Sequence, residues 1–452
     1  MIRKKGKAAI HPLSPARITA GSFLLVIITG TLLLMLPFSS KGEPLSFLTS
    51  LFTATSATCV TGLTLIDPYT HLTFFGQFVL MSMIEIGGIG LVTFSCFFLI
   101  SMRKKMTMRN LRLVQESTSS DSLYSTRSLV KLIIVTTLSI EAAGACIMAT
   151  RLIPAYGIVG IWYSVFTAVS AYCNAGFDLF GMEGAYSSVI SYQDDPVILF
   201  TIMALIFLGG IGFMVFQDLL SWRKRHHLML HTKVVILISA CLIIFGAAAL
   251  FVCEYSNKNT IGEMSLWDKF MNSLFQSVSA RTAGFASIDI ASMRDISKAI
   301  MIMLMFIGAG SGSTGGGIKV TTFAVLVSTV ISVIRGRNDT VILGRRVHRA
   351  VVYKSLTIAI LGMLVAATTA GIILVTMPDA SGIDSLFEAF SAFGTVGLTA
   401  GMTLSLNTIS KIAVIITMFV GRIGPMCFAL AMILRQDKHS DEILPEGRIM
   451  VG

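Results

Sequence analysis

The sequence predicts an all-α polytopic membrane protein in which four parallel span–pore-loop–span repeats surround one pore. That arrangement amounts to eight transmembrane helices plus four re-entrant pore helices. Three observations predict it: apolar runs of bilayer length, connectors that alternate between basic and acidic, and a short glycine-ended segment that recurs four times between such runs.

The apolar runs come first. Of 452 residues, 54% are hydrophobic and 13% charged, and the mean hydropathy is +0.80. A soluble domain carries roughly 25% charged residues, so this chain cannot cover its surface for water. Ile18 to Leu36, Val234 to Cys253 and Leu356 to Met377 each reach the ~20 residues that a hydrocarbon core requires. The first run is longer than a signal-peptide core and its Pro-Phe-Ser-Ser exit lacks a small-x-small cleavage site, so it reads as a retained span. The seven cysteines are scattered, with no C-x-x-C pair; Cys59, Cys96, Cys146, Cys173 and Cys427 lie in apolar stretches. They indicate neither a disulfide framework nor a structural metal site.

The net charge of +11 is distributed, not patched. Basic residues collect in the N-terminal tail, in Arg103 to Arg112, in Arg223, Lys224 and Arg225, and in Arg335 to Lys354, which holds Arg345, Arg346 and Arg349. The alternate connectors carry Asp178, Glu183, Asp194 and Asp195, then Glu254, Glu263 and Asp268, then Asp379 and Asp384. This alternation follows the positive-inside rule and places both termini in the cytoplasm. It argues against nucleic acid as a partner.

The recurring segment is SLFTATSATCVTGL (50–63), SVFTAVSAYCNAGF (164–177), SLFQSVSARTAGF (273–285) and SLFEAFSAFGTVGL (385–398). Its glycines, Gly62, Gly176, Gly284 and Gly397, are separated by 114, 108 and 113 residues. The third copy is one residue shorter between its serine and its glycine. The repeats run over 18–101, 129–221, 233–334 and 355–434, between a tail at 1–17 and another at 435–452. Their first spans read as 18–37, 129–152, 233–253 and 355–377, and their second spans as 73–101, 196–221, 298–334 and 408–434. The segment between two spans is too short to cross as a helix. It reads as a re-entrant hairpin, tolerated at membrane depth only inside protein or beside a watery cavity. One copy alone would equally suit a surface helix with a glycine C-cap.

Exchanging a cation's hydration shell for fixed oxygens calls for rings of main-chain carbonyls. Aiming successive carbonyls at one axis requires backbone angles that glycine adopts at little steric cost. That gives a role to Thr58, Cys59, Val60, Thr61 and Gly62; to Tyr172, Cys173, Asn174, Ala175 and Gly176; to Arg281, Thr282, Ala283 and Gly284; and to Phe393, Gly394, Thr395, Val396 and Gly397. The preceding short helices would turn their partially negative C-terminal ends toward the same place.

With CVTGL, CNAGF, RTAGF and GTVGL each set between two spans, the chain resembles the Trk/Ktr/HKT superfamily of potassium transporters over nearly its whole length. With eight spans it looks most like the Ktr membrane subunit. The resemblance implies a potassium-channel-like pore, potassium as the transported ion, and selectivity for it where all four filter positions are glycine. It also implies a bacterial plasma-membrane homodimer, with one pore per protomer. A further implication is a soluble cytosolic ring that binds nucleotide through its own domains, so that this chain itself carries no cofactor.

The second informative stretch is GAGSGSTGGGIK, holding Gly308, Gly310, Gly312, Ser313, Thr314, Gly315, Gly316, Gly317 and Lys319. Its six glycines would each weaken a helix by ~1 kcal/mol, so the second span of the third repeat should break here. Gly310, Gly312 and Gly315 fit G-x-G-x-x-G, but the apolar flanks lack the strand context of a dinucleotide fold. Close packing of small residues is another reading. The resemblance implies that residues 308–317 form a loop beneath the filter that gates the pore. It likewise implies that Arg422 faces the pore below the filter as an electrostatic barrier; a packing arginine bound to carbonyls is the alternative.

Charges at membrane depth mark functional candidates. Arg281 should turn away from the ion path toward a carboxylate, with Glu388 as one candidate. Glu85 and Glu141 suit either proton relay or buried structural pairing, and Asp218 lies near the end of its span, in position to be solvated. No nucleophile–base cluster emerges, so an enzyme is not expected. The competing function is an alternating-access sodium- or proton-coupled cation symporter, disfavoured because the repeats run parallel.

Overall fold

A computed structural model describes residues 15–90 and 126–432, and within them the fold is helical apart from one two-residue hairpin (Val341–Ile342 with Arg345–Arg346). The basic stretch 103–112, the end of the first repeat's second span and both tails beyond these limits lie outside the described residues.

Helices fall into four like groups. The first is α1 (Pro15–Leu34), α2 (Phe47–Cys59) and α3 (Phe74–Ile89); the second is α4 (Thr126–Tyr156), α5 (Val159–Cys173), α6 (Pro196–Ile211) and α7 (Phe213–Arg225). The third is α8 (Leu230–Glu254), α9 (Leu266–Ser279), α10 (Asp295–Phe306) and α11 (Val320–Ile334); the fourth is α12 (Arg349–Thr376), α13 (Gly382–Gly394), α14 (Thr408–Ile423) and α15 (Pro425–Met432). The opening helices α1, α4, α8 and α12 are long and apolar enough to cross a membrane. They turn large apolar side chains outward, Leu25, Ile244, Val252 and Val375 among them. An apolar exterior of this extent suits lipid and not water.

The third helices start on side-chain caps. Thr73 accepts from the Gly76 amide, Asp195 from Val197 and Ile198, and Asn407 from Ser410, each satisfying donors that the first helical turn leaves free. At the same place in the third group stands Arg294, which cannot accept. Glu254 supplies the carboxylate instead: it takes the Arg294 amide at 3.0 Å and the Ser297 hydroxyl, while Asn257 and Thr260 donate to its other oxygen at 2.7 Å.

The groups close on one another. Helix α3 packs on α5, α6 on α9 and α10 on α13, and α14 returns to α2. Each group therefore leans on the short middle helix of the next, and the fourth completes the circle on the first.

The second spans are not continuous helices. The sequence led us to expect one break, in the third. That break is present, between Phe306 and Val320, and others join it: α3 ends at Gly90 (φ +87°), α6 at Gly212 (+95°) and α14 at Gly424 (+94°), and α6 and α7 meet at 93°. These glycines close the like-placed runs GGIG, GGIG and GRIG, whose apolar character masked the break.

Candidate functional site: a ring of four glycines

Each middle helix ends just short of its glycine, and the chain then turns sharply. Val60, Asn174, Thr282 and Thr395, each two residues before the glycine, are left-handed, with φ of +58°, +60°, +79° and +50°. In the first, second and fourth copies this residue and its neighbour donate back to the last turn: Thr61 to Ser56, Ala175 to Ser170 and Val396 to Ser391, at 2.7 to 2.9 Å. This is the doubly bonded left-handed C-cap of a helix. In the first and fourth copies the serine of the Ser-Ala step then holds the glycine: the Gly62 amide donates to Ser56 Oγ at 3.0 Å and Gly397 to Ser391 Oγ at 3.1 Å. The shorter third copy cannot repeat this. There Ala283 donates to the Ser279 carbonyl and the Ser279 hydroxyl donates to Phe285 O at 2.5 Å.

The four glycines meet. Gly62, Gly176, Gly284 and Gly397 have φ of +99°, +69°, +82° and +90°. A Cβ on Gly62 would lie 2.6 Å from the Ala175 carbonyl oxygen, and one on Gly176 2.7 Å from that of Ala283. On Gly284 it would meet Val396 O, and on Gly397 it would meet Thr61 O. The order is cyclic, so the carbonyls of Thr61, Ala175, Ala283 and Val396 each approach the glycine of a neighbouring group around one centre. Any side chain in this ring would be both strained and blocked.

The rest of each segment runs behind the ring. Thr58, Cys59, Tyr172, Cys173 and Phe393 are buried on the ends of their helices, and the Asn174 amide meets the Thr282 hydroxyl at 3.2 Å, joining second and third groups. A second set of glycines, which sequence reasoning missed, lets the third helices touch these ends. A Cβ on Gly87, Gly209 or Gly421 would collide with the carbonyl of Thr58, Tyr172 or Phe393. Their signal was present in the repeated Gly-x-Ile-Gly runs.

The ring has two different faces. On one lies a cavity of about 220 Å³, lined by the four glycines, by residues just beyond them such as Leu63, Phe177 and Thr399, and by the carboxylate-bearing Asp67, Asp178 and Asp289. On the other lies the glycine-rich segment, which leaves α10 at Ile307 and rejoins helix at Val320. Its two ends are joined to each other, Gly308 donating to Ile318 O at 2.9 Å, and its main chain is tied to the second group, Gly310 donating to Gly210 O at 2.8 Å. The Thr314 hydroxyl donates to Tyr172 O at 3.2 Å. A Cβ on Gly315 would strike the Thr282 hydroxyl and one on Gly316 that of Thr395, so the segment presses on three of the four loops. Gly312 and Gly317 are left-handed, at +69° and +64°, Ser313 bonds back to Gly310 O, and Lys319 donates to Gly315 O at 2.5 Å.

Arg422 fastens this segment. Its guanidinium donates to the Thr314 carbonyl and to the carbonyls of Gly87 and Gly88. Arg281 does turn away from the centre, but not to Glu388. It donates to Ser239 O, Ser239 Oγ and Gly308 O at 3.2 to 3.4 Å, while Glu388 accepts from Thr399 and Thr403. The expected pairing is replaced by carbonyls and hydroxyls because α8 and Ile307–Gly308 reach the guanidinium first. Glu85 and Glu141 come together at the Cys173 thiol, 3.4 and 3.9 Å from its sulfur, as buried pairing requires. Asp218 is 3% exposed, not solvated; its carboxylate accepts the Met229 amide at 2.9 Å.

Residues 12–442 match the family model described as TrkH, cation transport protein. The Ktr system potassium uptake protein B of Bacillus subtilis (strain 168) is 40% identical over 441 residues, 97% of each chain. The potassium/sodium uptake protein NtpJ of Enterococcus hirae is 36% identical over 446 residues, 97% of this chain and 98% of that one. Among solved structures, the potassium transporter TrkH from Vibrio parahaemolyticus has the same fold, with a TM-score of 0.69 and 18% identity over 95% of this chain and 87% of that one. The chain thus belongs to the TrkH family, whose members are cation transport proteins and not enzymes.

Proposed function

We propose that this chain is the potassium-translocating subunit of a bacterial uptake system, with the four glycine loops as its selectivity filter and residues 308–317 as its gate. One observation carries the reading: a closed ring of four left-handed glycines, each met by a carbonyl of a neighbouring group, lies between an acidic cavity and a latched glycine-rich segment.

A cation entering the cavity exchanges its water for ring carbonyls, whose cost of desolvation they offset without holding the ion tightly. The C-terminal ends of α2, α5, α9 and α13 contribute partial negative charge at the same centre. An inside-negative potential of 100 mV favours inward movement by about 2.3 kcal/mol per charge. Beyond the ring, the segment from Gly308 to Gly317 obstructs the path, and Arg422 adds a positive barrier.

The alternating basic connectors support a plasma-membrane topology with both termini in the cytoplasm. The names of the Ktr-system relatives support assembly with other subunits. In this reading two copies of the chain pair as a homodimer, and a cytosolic nucleotide-binding ring releases the gate. Sodium is the second candidate cargo, because one relative is named a potassium/sodium uptake protein.

Cation flux into proteoliposomes tests the reading, with potassium, rubidium, sodium and lithium compared and Gly62→Ser as the control. Potassium- and rubidium-selective flux that Gly62→Ser relaxes toward sodium is the expected result. Sodium-selective flux, or selectivity indifferent to Gly62→Ser, would overturn it.

A further inference from the structure

The residue after the Ser–apolar–Phe step of each middle helix is polar: Thr53, Thr167, Gln276 and Glu388. All four side chains are fully buried. Each lies three positions before the serine of the Ser-Ala step and so shares its helical face. In the first three groups this side chain has no hydrogen-bond partner among the described residues. The fourth differs.

There the helix and the returning chain are joined at two levels. Ser391 Oγ accepts the Gly397 amide at 3.1 Å. One turn earlier, Glu388 Oε2 accepts the Thr399 hydroxyl at 2.8 Å and Oε1 the Thr403 hydroxyl at 2.6 Å. Thr399 Oγ1 in turn accepts the Gly401 amide at 3.1 Å, which carries the tie into the outer turn. Lys298, a buried cation of the adjoining α10, is bonded to Asp384 at 2.8 Å. Among the described residues the Glu388 carboxyl is therefore held by hydroxyls and not by an ion pair. The carboxyl presents one oxygen to each hydroxyl, so a glutamate joins both threonines to the helix as a threonine could not.

The fourth loop also carries both of its junctions in the ring: Val396 O faces Gly284, and Gly397 faces Thr61 O. We propose that Glu388 is a positioning residue for ion selectivity, fixing the outer limb of the fourth glycine loop through Thr399 and Thr403. The inference rests on the filter reading above.

The test uses the full chain in proteoliposomes and reads the ratio of potassium to sodium flux for wild type, Glu388→Ala, Glu388→Gln and the pair Thr399→Val/Thr403→Val. Glu388→Ala should lower the ratio about tenfold, the equivalent of one lost hydrogen bond. The valine pair should lower it similarly, and combining it with Glu388→Ala should add little. Glu388→Gln should recover most of the ratio, since an amide oxygen still accepts one hydroxyl and its NH₂ can donate to the other. An unchanged ratio in Glu388→Ala overturns the inference; where that variant fails to fold, an unchanged ratio in the valine pair does so. A selective wild type with unaffected variants rejects this inference alone, whereas a non-selective wild type rejects the filter reading and this inference together.

Discussion

The Arg422 guanidinium hydrogen-bonds the main-chain carbonyl of Thr314, and with its other nitrogen those of Gly87 and Gly88. One side chain of the fourth group thus pins the glycine-rich segment to the end of a helix of the first. The contacts are charge-assisted, and among the described residues the hydrogen-bond partners of this guanidinium are carbonyls and not carboxylates.

Removing it should free the segment. Arg422→Ala is expected to raise potassium flux through the isolated chain about tenfold, from the loss of hydrogen bonds to a charged donor and of the positive barrier itself. Shortening 308–317 should act in the same direction. Flux assays at matched protein content, with thermal unfolding to verify folding, check both; unchanged flux in a folded Arg422→Ala protein would count against the latch.

The glycines behind the ring give a second expectation. At Gly209 a Cβ would run into the Tyr172 carbonyl, and the Thr314 hydroxyl lies 3.1 Å from the same point. Gly209→Ala should therefore push α6 off the second loop, at a cost of roughly 1 to 3 kcal/mol from overpacking. Potassium selectivity should fall with it. Selectivity and melting temperature measured together would expose the opposite result, an alanine accepted without change.

How much of this was legible in the sequence depends on the range of the cause. Gly62, Gly176, Gly284 and Gly397 could be read because the demand for φ > 0 is local and is repeated four times. The serine of each Ser-Ala step was visible, yet the bond that Ser56 and Ser391 make to an amide six residues later depends on a loop geometry that no pattern encodes. The missing residue in the third copy was seen, and the structure gives its consequence: Ser279 donates to Phe285 O instead of accepting from glycine. Breaks at Gly90, Gly212 and Gly424 were hidden because hydropathy averages over a span and ignores a single backbone angle. Arg281 and Glu388 were matched on charge alone, whereas burial among carbonyls and hydroxyls decided their partners.

Glu254 supplies a stability prediction independent of ion transport. Its side chain is buried and takes four donors, from Asn257, Thr260, Arg294 and Ser297, standing in for the cap that Arg294 cannot provide. Glu254→Ala should destabilise the chain by about 3 kcal/mol, because buried donors are left unmade around a lost charge. Glu254→Gln should cost less, since its amide oxygen still accepts. Thermal unfolding in detergent would separate them, and equal melting temperatures for all three proteins would remove Glu254 from the capping role.

The most direct measurement is anomalous scattering from rubidium in crystals of the chain grown in rubidium chloride. The account expects a peak on the axis of the ring, coordinated by the carbonyls of Thr61, Ala175, Ala283 and Val396, that disappears when sodium replaces rubidium. Rubidium bound away from that ring, with the ring itself empty, would contradict it.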